Sequence, residues 1–154
     1  MVRPTVRSLG DDSTGFLETA GPIVHSALRF GAGILFLQHG LQKLFGLLGG
    51  MGSPGSTAPL ASLMGVAGLL EFFGGLLIIF GLATRAVSVV LLVEMVAAYF
   101  ISHLPQGGWP VQNRGELALL YALVFLFLSA NGGGPYSLDE LLRRRAQWGR
   151  RTAA

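Results

Sequence analysis

Histidine, lysine and glutamate can pass protons to and from a bound molecule, and this chain carries them where such groups are expensive. Residues 29–43 hold Arg29, Gln38, His39, Gln42 and Lys43 inside an apolar run that reaches from about residue 23 to 48. An ionisable side chain in the hydrocarbon layer costs at least about 2.5–3.5 kcal/mol on insertion scales. These groups must therefore face the protein interior, and they are the first functional candidates. Further along stand Glu71, Glu94 and Glu116, each in or beside another apolar run.

On an ideal helix His39 and Lys43 lie one turn apart on one face, with Arg29 close to both and Gln42 bordering the stripe. Gly65, Gly68, Glu71 and Gly75 share a face of the next run, so Glu71 projects into a close helix contact rather than into lipid. Glu94 is accompanied by Ala97 and Ala98. Counting along the helices pairs Arg29 with Glu94 or Glu71, and His39 and Lys43 with Glu71 or Glu116. His39, Lys43, Glu71, Glu116 and Gln42 are accordingly the ligand-binding or proton-exchanging candidates, and Arg29 and Glu94 the buried ion-pair candidates. The competing reading is that these charges only neutralise one another and set helix register, because a buried pair is poor evidence of net stabilisation. His103 is nine residues from Glu94, on the opposite side of a straight helix, and Pro105 follows soon after; it is expected at the interface. His25 is expected there too.

The elements that must hold these groups are membrane spans. Half the residues are hydrophobic (51%) and only 12% are charged, with a mean hydropathy of +0.59, where a soluble domain has about a quarter of its residues charged. Four apolar runs, roughly 23–48, 60–82, 86–104 and 115–131, predict an all-α antiparallel bundle of four transmembrane helices. The fourth is short: Leu117 to Ala130 would rise only about 21 Å, which draws Glu116 to the edge of the hydrocarbon layer. Gly21-Pro22 is expected to open the first span. A Gly/Ser/Pro-rich loop near 49–59, a turn at 82–86 and a loop at 105–114 join the runs.

Three segments result: an N-terminal tail (1–22), a four-helix membrane domain (23–131) and a basic amphipathic tail (132–154). The N-terminal residues lack a short apolar core followed by a small-residue cleavage site, so no removable signal peptide is expected. Arg3, Arg7, Arg85, Arg143, Arg144, Arg145, Arg150 and Arg151 fall on one side of the predicted topology and only Arg114 on the other, which places both termini in the cytoplasm. The net charge of +3 thus describes a membrane-facing arginine cluster and gives no reason to expect nucleic acid. In the tail, Ser137-Leu-Asp-Glu140 reads as a capping box, and Leu138, Leu141, Leu142 and Trp148 share one side of the short helix that follows, an interfacial anchor.

With no cysteine, thiolate metal sites, iron–sulfur clusters and disulfides are excluded. No metal site is expected either, since the carboxylate-x-x-His pattern of bundle metal centres is missing, and two histidines do not specify a haem. No intrinsic cofactor is identified.

Several motifs occur in order along the chain. They are Arg29, then Leu37-Gln-His-Gly-Leu-Gln-Lys-Leu-Phe-Gly46, Leu70-Glu71-Phe-Phe-Gly-Gly75, Gly81-Leu-Ala-Thr-Arg85, Glu94-Met95, His103-Leu-Pro-Gln-Gly107, Gly115-Glu-Leu-Ala-Leu-Leu-Tyr121 and Tyr136-Ser-Leu-Asp139. Taken together they resemble the bacterial DoxX family over about residues 25–139, although Val111-Gln-Asn-Arg114 departs from the family's glycine-rich loop. The resemblance implies a multi-pass protein of the bacterial inner membrane, associated with quinone-linked oxidoreductase systems, and points to Arg29, His39, Lys43, Glu71, Glu94, His103 and Glu116. The leading expectation is a membrane subunit that binds a quinone or a similar lipophilic redox molecule. The alternative is a non-catalytic assembly or accessory subunit of a larger membrane complex. The bilayer is the expected partner, and a membrane or cytoplasmic redox partner and a homo-oligomer are both compatible with four short spans.

Overall fold

The computed structural model describes residues 11–152; Arg3 and Arg7 lie outside them. Among the described residues every regular element is helical. Helix α1 (Asp11–Phe45), α2 (Leu63–Phe80), α3 (Thr84–Ala98), a short α4 (Pro110–Asn113) and α5 (Glu116–Asn131) make the bundle, and α6 (Leu138–Thr152) follows at its end. Helices α1, α2 and α3 with its extension are long and apolar enough to cross a membrane. Helix α5 rises about 24 Å at 1.5 Å per residue, so it is short for a span, as its sequence indicates.

Helix α1 starts well before Pro22, which sits inside it rather than at its first turn. Proline there removes one backbone donor, and Ser26 Oγ donates to the Pro22 carbonyl (2.9 Å). At the far end of α3 the chain widens into a π-helical turn over Tyr99–His103 and tightens into a 3₁₀ turn over Leu104–Gln106.

The second half of helix α1 packs on α2, and α3 packs on α5, and the two pairs meet less closely. Glycines explain the first contact: a Cβ on Gly40 would lie 2.7 Å from Phe72 Cα, and one on Gly75 would lie 3.0 Å from Leu37 Cα. Small residues let backbones approach to this degree. The two pairs are joined by a central aromatic knot in which Phe36 meets Tyr121 and Phe125 edge-on, at ring-centroid distances of 5.1 and 4.9 Å. Ile78, Leu91 and Leu128 complete the fully buried core.

The outward faces are apolar. Phe30, Phe73, Phe80, Val93, Phe100 and Leu123 are all exposed, and only 22%, 33% and 17% of an apolar 18-residue stretch in each of the three long spans is buried. So much exposed apolar surface requires lipid around it. This is a helical membrane bundle.

Candidate functional site

The ionisable groups separate into two clusters at different depths. At one end α1 delivers Arg29, 3% exposed, to backbone carbonyls. Its Nε donates to Gly133 O (2.9 Å), its Nη1 to Ile78 O (2.6 Å) and Ile79 O, and its Nη2 to Tyr136 O (2.8 Å). Ile78 and Ile79 are in the last turn of α2, where helical carbonyls lack intrahelical partners. Arg29 therefore ties α1 to the end of α2 and to the glycine-rich link into α6. It forms no ion pair with Glu94 or Glu71, contrary to the depth estimate, because the backbone carbonyls at this end of the bundle take up its guanidinium.

Asp139 completes this knot. Its carboxylate accepts from the backbone N–H groups of Ala83 (2.7 Å) and Thr84 (2.8 Å), capping α3 from the start of α6. A carboxylate at a helix N-terminus is favoured by charge as well as by hydrogen bonding. Ser137 caps α6 as its sequence indicates, through Glu140 N–H to Ser137 Oγ (3.2 Å), but the Glu140 side chain turns to Arg143 and Arg144 instead of reaching back. His25 joins through Nε2 to Gly132 O (2.9 Å).

The second cluster surrounds a cavity of about 740 Å³ between the α1/α2 and α3/α5 pairs. Helix α1 contributes Phe36, His39 and Lys43 to its lining, α2 contributes Glu71, α3 contributes Glu94 and α5 contributes Tyr121. The three- and four-residue steps of α1 set its side chains one above another on a single face. Lys43 Nζ forms an ion pair with Glu71 Oε1, as the depth estimate allowed, and the His39 ring stands edge-on to Tyr121 at 6.1 Å. The other Glu71 oxygen and both carboxylate oxygens of Glu94 are buried without a hydrogen-bond partner among the described residues.

His103 lines the same cavity. A straight helix would turn it away from Glu94, but the π-helical turn, in which Leu104 N–H reaches Tyr99 O, rewinds the chain between them. Its Nδ1 lies 3.1 Å from Asn113 O. Asn113 itself is 1% exposed; it donates to Gly107 O (2.7 Å) and accepts from Gly115 N–H (2.8 Å), and so fixes the loop that carries His103 and Arg114.

Glu116 and Gln42 do not join the cavity lining. Glu116 is exposed, because it sits half a turn round α5 from the buried Phe125. Gln42 is half-buried outside the cavity. Asp139, Asn113 and Tyr121 were not singled out from the sequence. Asp139 and Tyr121 do stand inside the ordered motifs, whereas Asn113 falls in the loop that departs from them.

The cavity opens sideways. Val66 of α2 and Val89, Val90 and Val93 of α3 line it and are also exposed on the outer surface, so the mouth faces the hydrocarbon. Apolar walls with a few convergent polar groups are the usual composition of a small-molecule site, and the volume lies within the common range of about 300–1,000 Å³.

Fold and cavity define a small polytopic membrane protein with a lipid-facing polar pocket. Comparison with known proteins makes the class specific. The DoxX profile matches residues 24–104, and the chain belongs to the DoxX family. It is 38% identical over 131 residues to an uncharacterized protein of Haemophilus influenzae, covering 80% of this chain and 94% of that one. It is 33% identical over 137 residues to the inner membrane protein YqjF of Escherichia coli, covering 84% and 97%. It is 31% identical over 115 residues to a Bacillus subtilis protein named "Putative oxidoreductase CatD", covering 75% and 84%. No solved structure matches the chain at a significant level.

Proposed function

We propose that the cavity receives the polar head of a quinone or a similar lipophilic redox molecule from the bilayer, and that the chain serves as an inner-membrane subunit of a quinone-linked oxidoreductase system with both termini in the cytoplasm. The observation that carries this reading is the Glu94 carboxyl group, whose oxygens meet no protein partner in a cavity that opens to lipid. A buried polar group without a partner costs about 1–3 kcal/mol, a cost that a hydrogen-bonding ligand would remove. The oxidoreductase name of the Bacillus subtilis relative supports the same association.

A quinone supplies two carbonyl oxygens that gain and lose protons as electrons are exchanged. The chain provides groups suited to each end of such a head. Lys43, held by Glu71, offers N–H donors, and Glu94 and His103 offer sites that take or give a proton. The valines at the mouth receive an apolar tail. Electrons come from a redox partner, since the chain has no cysteine for an iron–sulfur or thiol centre of its own.

The test is binding of short-chain ubiquinone and menaquinone analogues to purified protein, read by thermal shift and by co-purification of native quinone. Wild type should be stabilised, and Glu94→Gln and His103→Ala should weaken the shift tenfold or more in ligand concentration. No shift with either analogue and no co-purified quinone overturn the proposal. A stoichiometric partner retained by Glu94→Gln in mild detergent would then favour an assembly subunit.

A further inference from the structure

A second crevice, about 450 Å³, lies at the Arg29 end of the bundle, away from the polar cavity. Phe30 of α1, Ile79 and Phe80 of α2, and Leu138, Leu141 and Arg144 of α6 form its walls. Its lower wall belongs to the lipid face of the spans, because Phe30 and Phe80 are 50% and 58% exposed. Its upper wall is the first two turns of α6.

Helix α6 is tied to the bundle at its start. Asp139 N–H donates to Gly81 O (2.9 Å), the Asp139 carboxylate caps α3, and Arg29 holds the Tyr136 carbonyl. From Leu141 to Arg151 every residue is exposed. At helical spacing Arg143, Arg144, Arg150 and Arg151 gather on one face, and Leu138, Leu141, Leu142 and Trp148 on the other. The acidic residues do not offset this charge on the outer surface. Asp139 is taken up by the α3 N-terminus, and Glu140, which also lines the crevice, is covered by Arg143 (2.7 Å) and Arg144 (2.6 Å). Arg144 uses its Nε for that contact and remains 66% exposed at the side chain.

We propose that this crevice is a binding site for one anionic phospholipid, with an acyl chain against Phe30 and Phe80 and the phosphate on Arg144. The lipid-facing aromatic wall of the spans runs directly into the apolar side of α6, and an arginine-rich rim stands where the spans end, at the level of a headgroup. A soluble acidic partner would meet the arginines but would leave the Phe30 and Phe80 wall without an occupant. An acyl chain and a phosphate on one molecule satisfy both halves of the crevice, and a basic amphipathic helix is suited to an anionic interface.

Native mass spectrometry decides the matter. Full-length protein reconstituted in vesicles of equal phosphatidylglycerol and phosphatidylcholine, then extracted in mild detergent, should retain a phosphatidylglycerol adduct several-fold over phosphatidylcholine. Arg144→Gln should weaken that retention about fivefold, the effect of one arginine near an anionic surface. Phe80→Ala should lower retention of the lipid, while added glycerol 3-phosphate should not displace it. Thermal unfolding in the same detergent checks that each variant is folded. Equal adducts of the two lipids, retention unchanged by both substitutions, or displacement by glycerol 3-phosphate would overturn the proposal. So would arginine-dependent capture of an acidic protein with no lipid preference. Quinone binding at the distant cavity is a separate readout, so either site can fail without the other.

Discussion

Replacing Arg29 by leucine should loosen one end of the bundle without touching the polar cavity. The guanidinium binds four backbone carbonyls, those of Ile78, Ile79, Gly133 and Tyr136, through all three of its nitrogens. A neutral interhelical hydrogen bond in a membrane protein averages about 0.6 kcal/mol by double-mutant cycle, and charge assistance roughly doubles it. Four such bonds come to about 5 kcal/mol. Burying the guanidinium offsets part of that sum, and Ile78 O keeps the N–H of Gly81 (3.1 Å) as a second donor. The net loss should be about 2–4 kcal/mol, a large part of a marginal stability.

Arg29→Lys separates geometry from charge. An ammonium is a compact charge without the planar fork that lets one side chain serve carbonyls of α2 and of the link to α6 together. It should keep less than half of the stability that leucine loses. The assay is reversible unfolding in mixed micelles, with limited proteolysis of α6 as a local readout. Leucine should speed cleavage within 138–152, because the Tyr136 anchor is lost. Unchanged unfolding in both variants, or lost stability with cleavage of α6 unaffected, would refute the claim that Arg29 joins α1 to the other elements.

Four further outcomes are expected. Gly40→Ala should destabilise the bundle by about 1–3 kcal/mol, because its methyl would press on Phe72 backbone atoms that cannot step aside; an unchanged unfolding midpoint would show that α1 and α2 can separate cheaply. Asp139→Ala should remove the cap of α3 and cost about 0.5–2 kcal/mol, measured in the same micelles, and should expose the Ala83 and Thr84 amides to hydrogen exchange. Glu140 is held down to about 2 from an ordinary 4.5 by its hydrogen bonds to Arg143 and Arg144. A value lowered by folding means that its contribution is present in full above about pH 4.5 and fades as pH falls through about 2; a carboxyl carbon NMR titration with its midpoint near 4.5 would contradict the pairing. Glu94→Leu should raise stability by about 1–3 kcal/mol by removing an unpartnered buried carboxyl while abolishing quinone binding, and a loss of stability would show that Glu94 has a structural partner.

The helices were legible because their cause is local. Three apolar runs of membrane length and a shorter fourth, glycines at helical spacing and a serine cap at the tail all follow from composition and period, and each has its counterpart in the structure. Depth along the helices leaves Lys43 with Glu71 or Glu116, and the structure pairs it with Glu71. His103 could not be placed in this way, since its placement depends on a π-helical turn that no periodicity of side chains announces. Arg29 departs from its expected ion pair for a different reason: charge counting looks for an opposite charge, whereas two carbonyls at the end of α2 and two in the link to α6 serve a guanidinium equally well. Glu116 was drawn inward by the shortness of α5, but depth does not fix the face. The start of α1 was obscured by Pro22, which reads as an opening signal although the helix runs through it.

The two clusters differ in how their charged groups are partnered. At the Arg29 end the charged groups are matched: α2 carbonyls, the α3 N-terminus and the start of α6 each receive a side chain suited to them, although the Thr84 and Ser88 hydroxyls are buried there without a hydrogen-bond partner among the described residues. Matched charges of this kind are what groups that fix helix positions require. In the cavity the same chain pairs Lys43 with one Glu71 oxygen and leaves Glu94 with no partner. A bundle that only needed register would be more stable with an apolar side chain at position 94, since a half-satisfied buried network is worse than none. The unmatched carboxyl, the His103 brought to the same cavity by a rewound helix and the mouth open to lipid are the features on which the proposed membrane-borne ligand rests. The arginine at the other end, which binds four backbone carbonyls, ties α1 to α2 and to the link into α6.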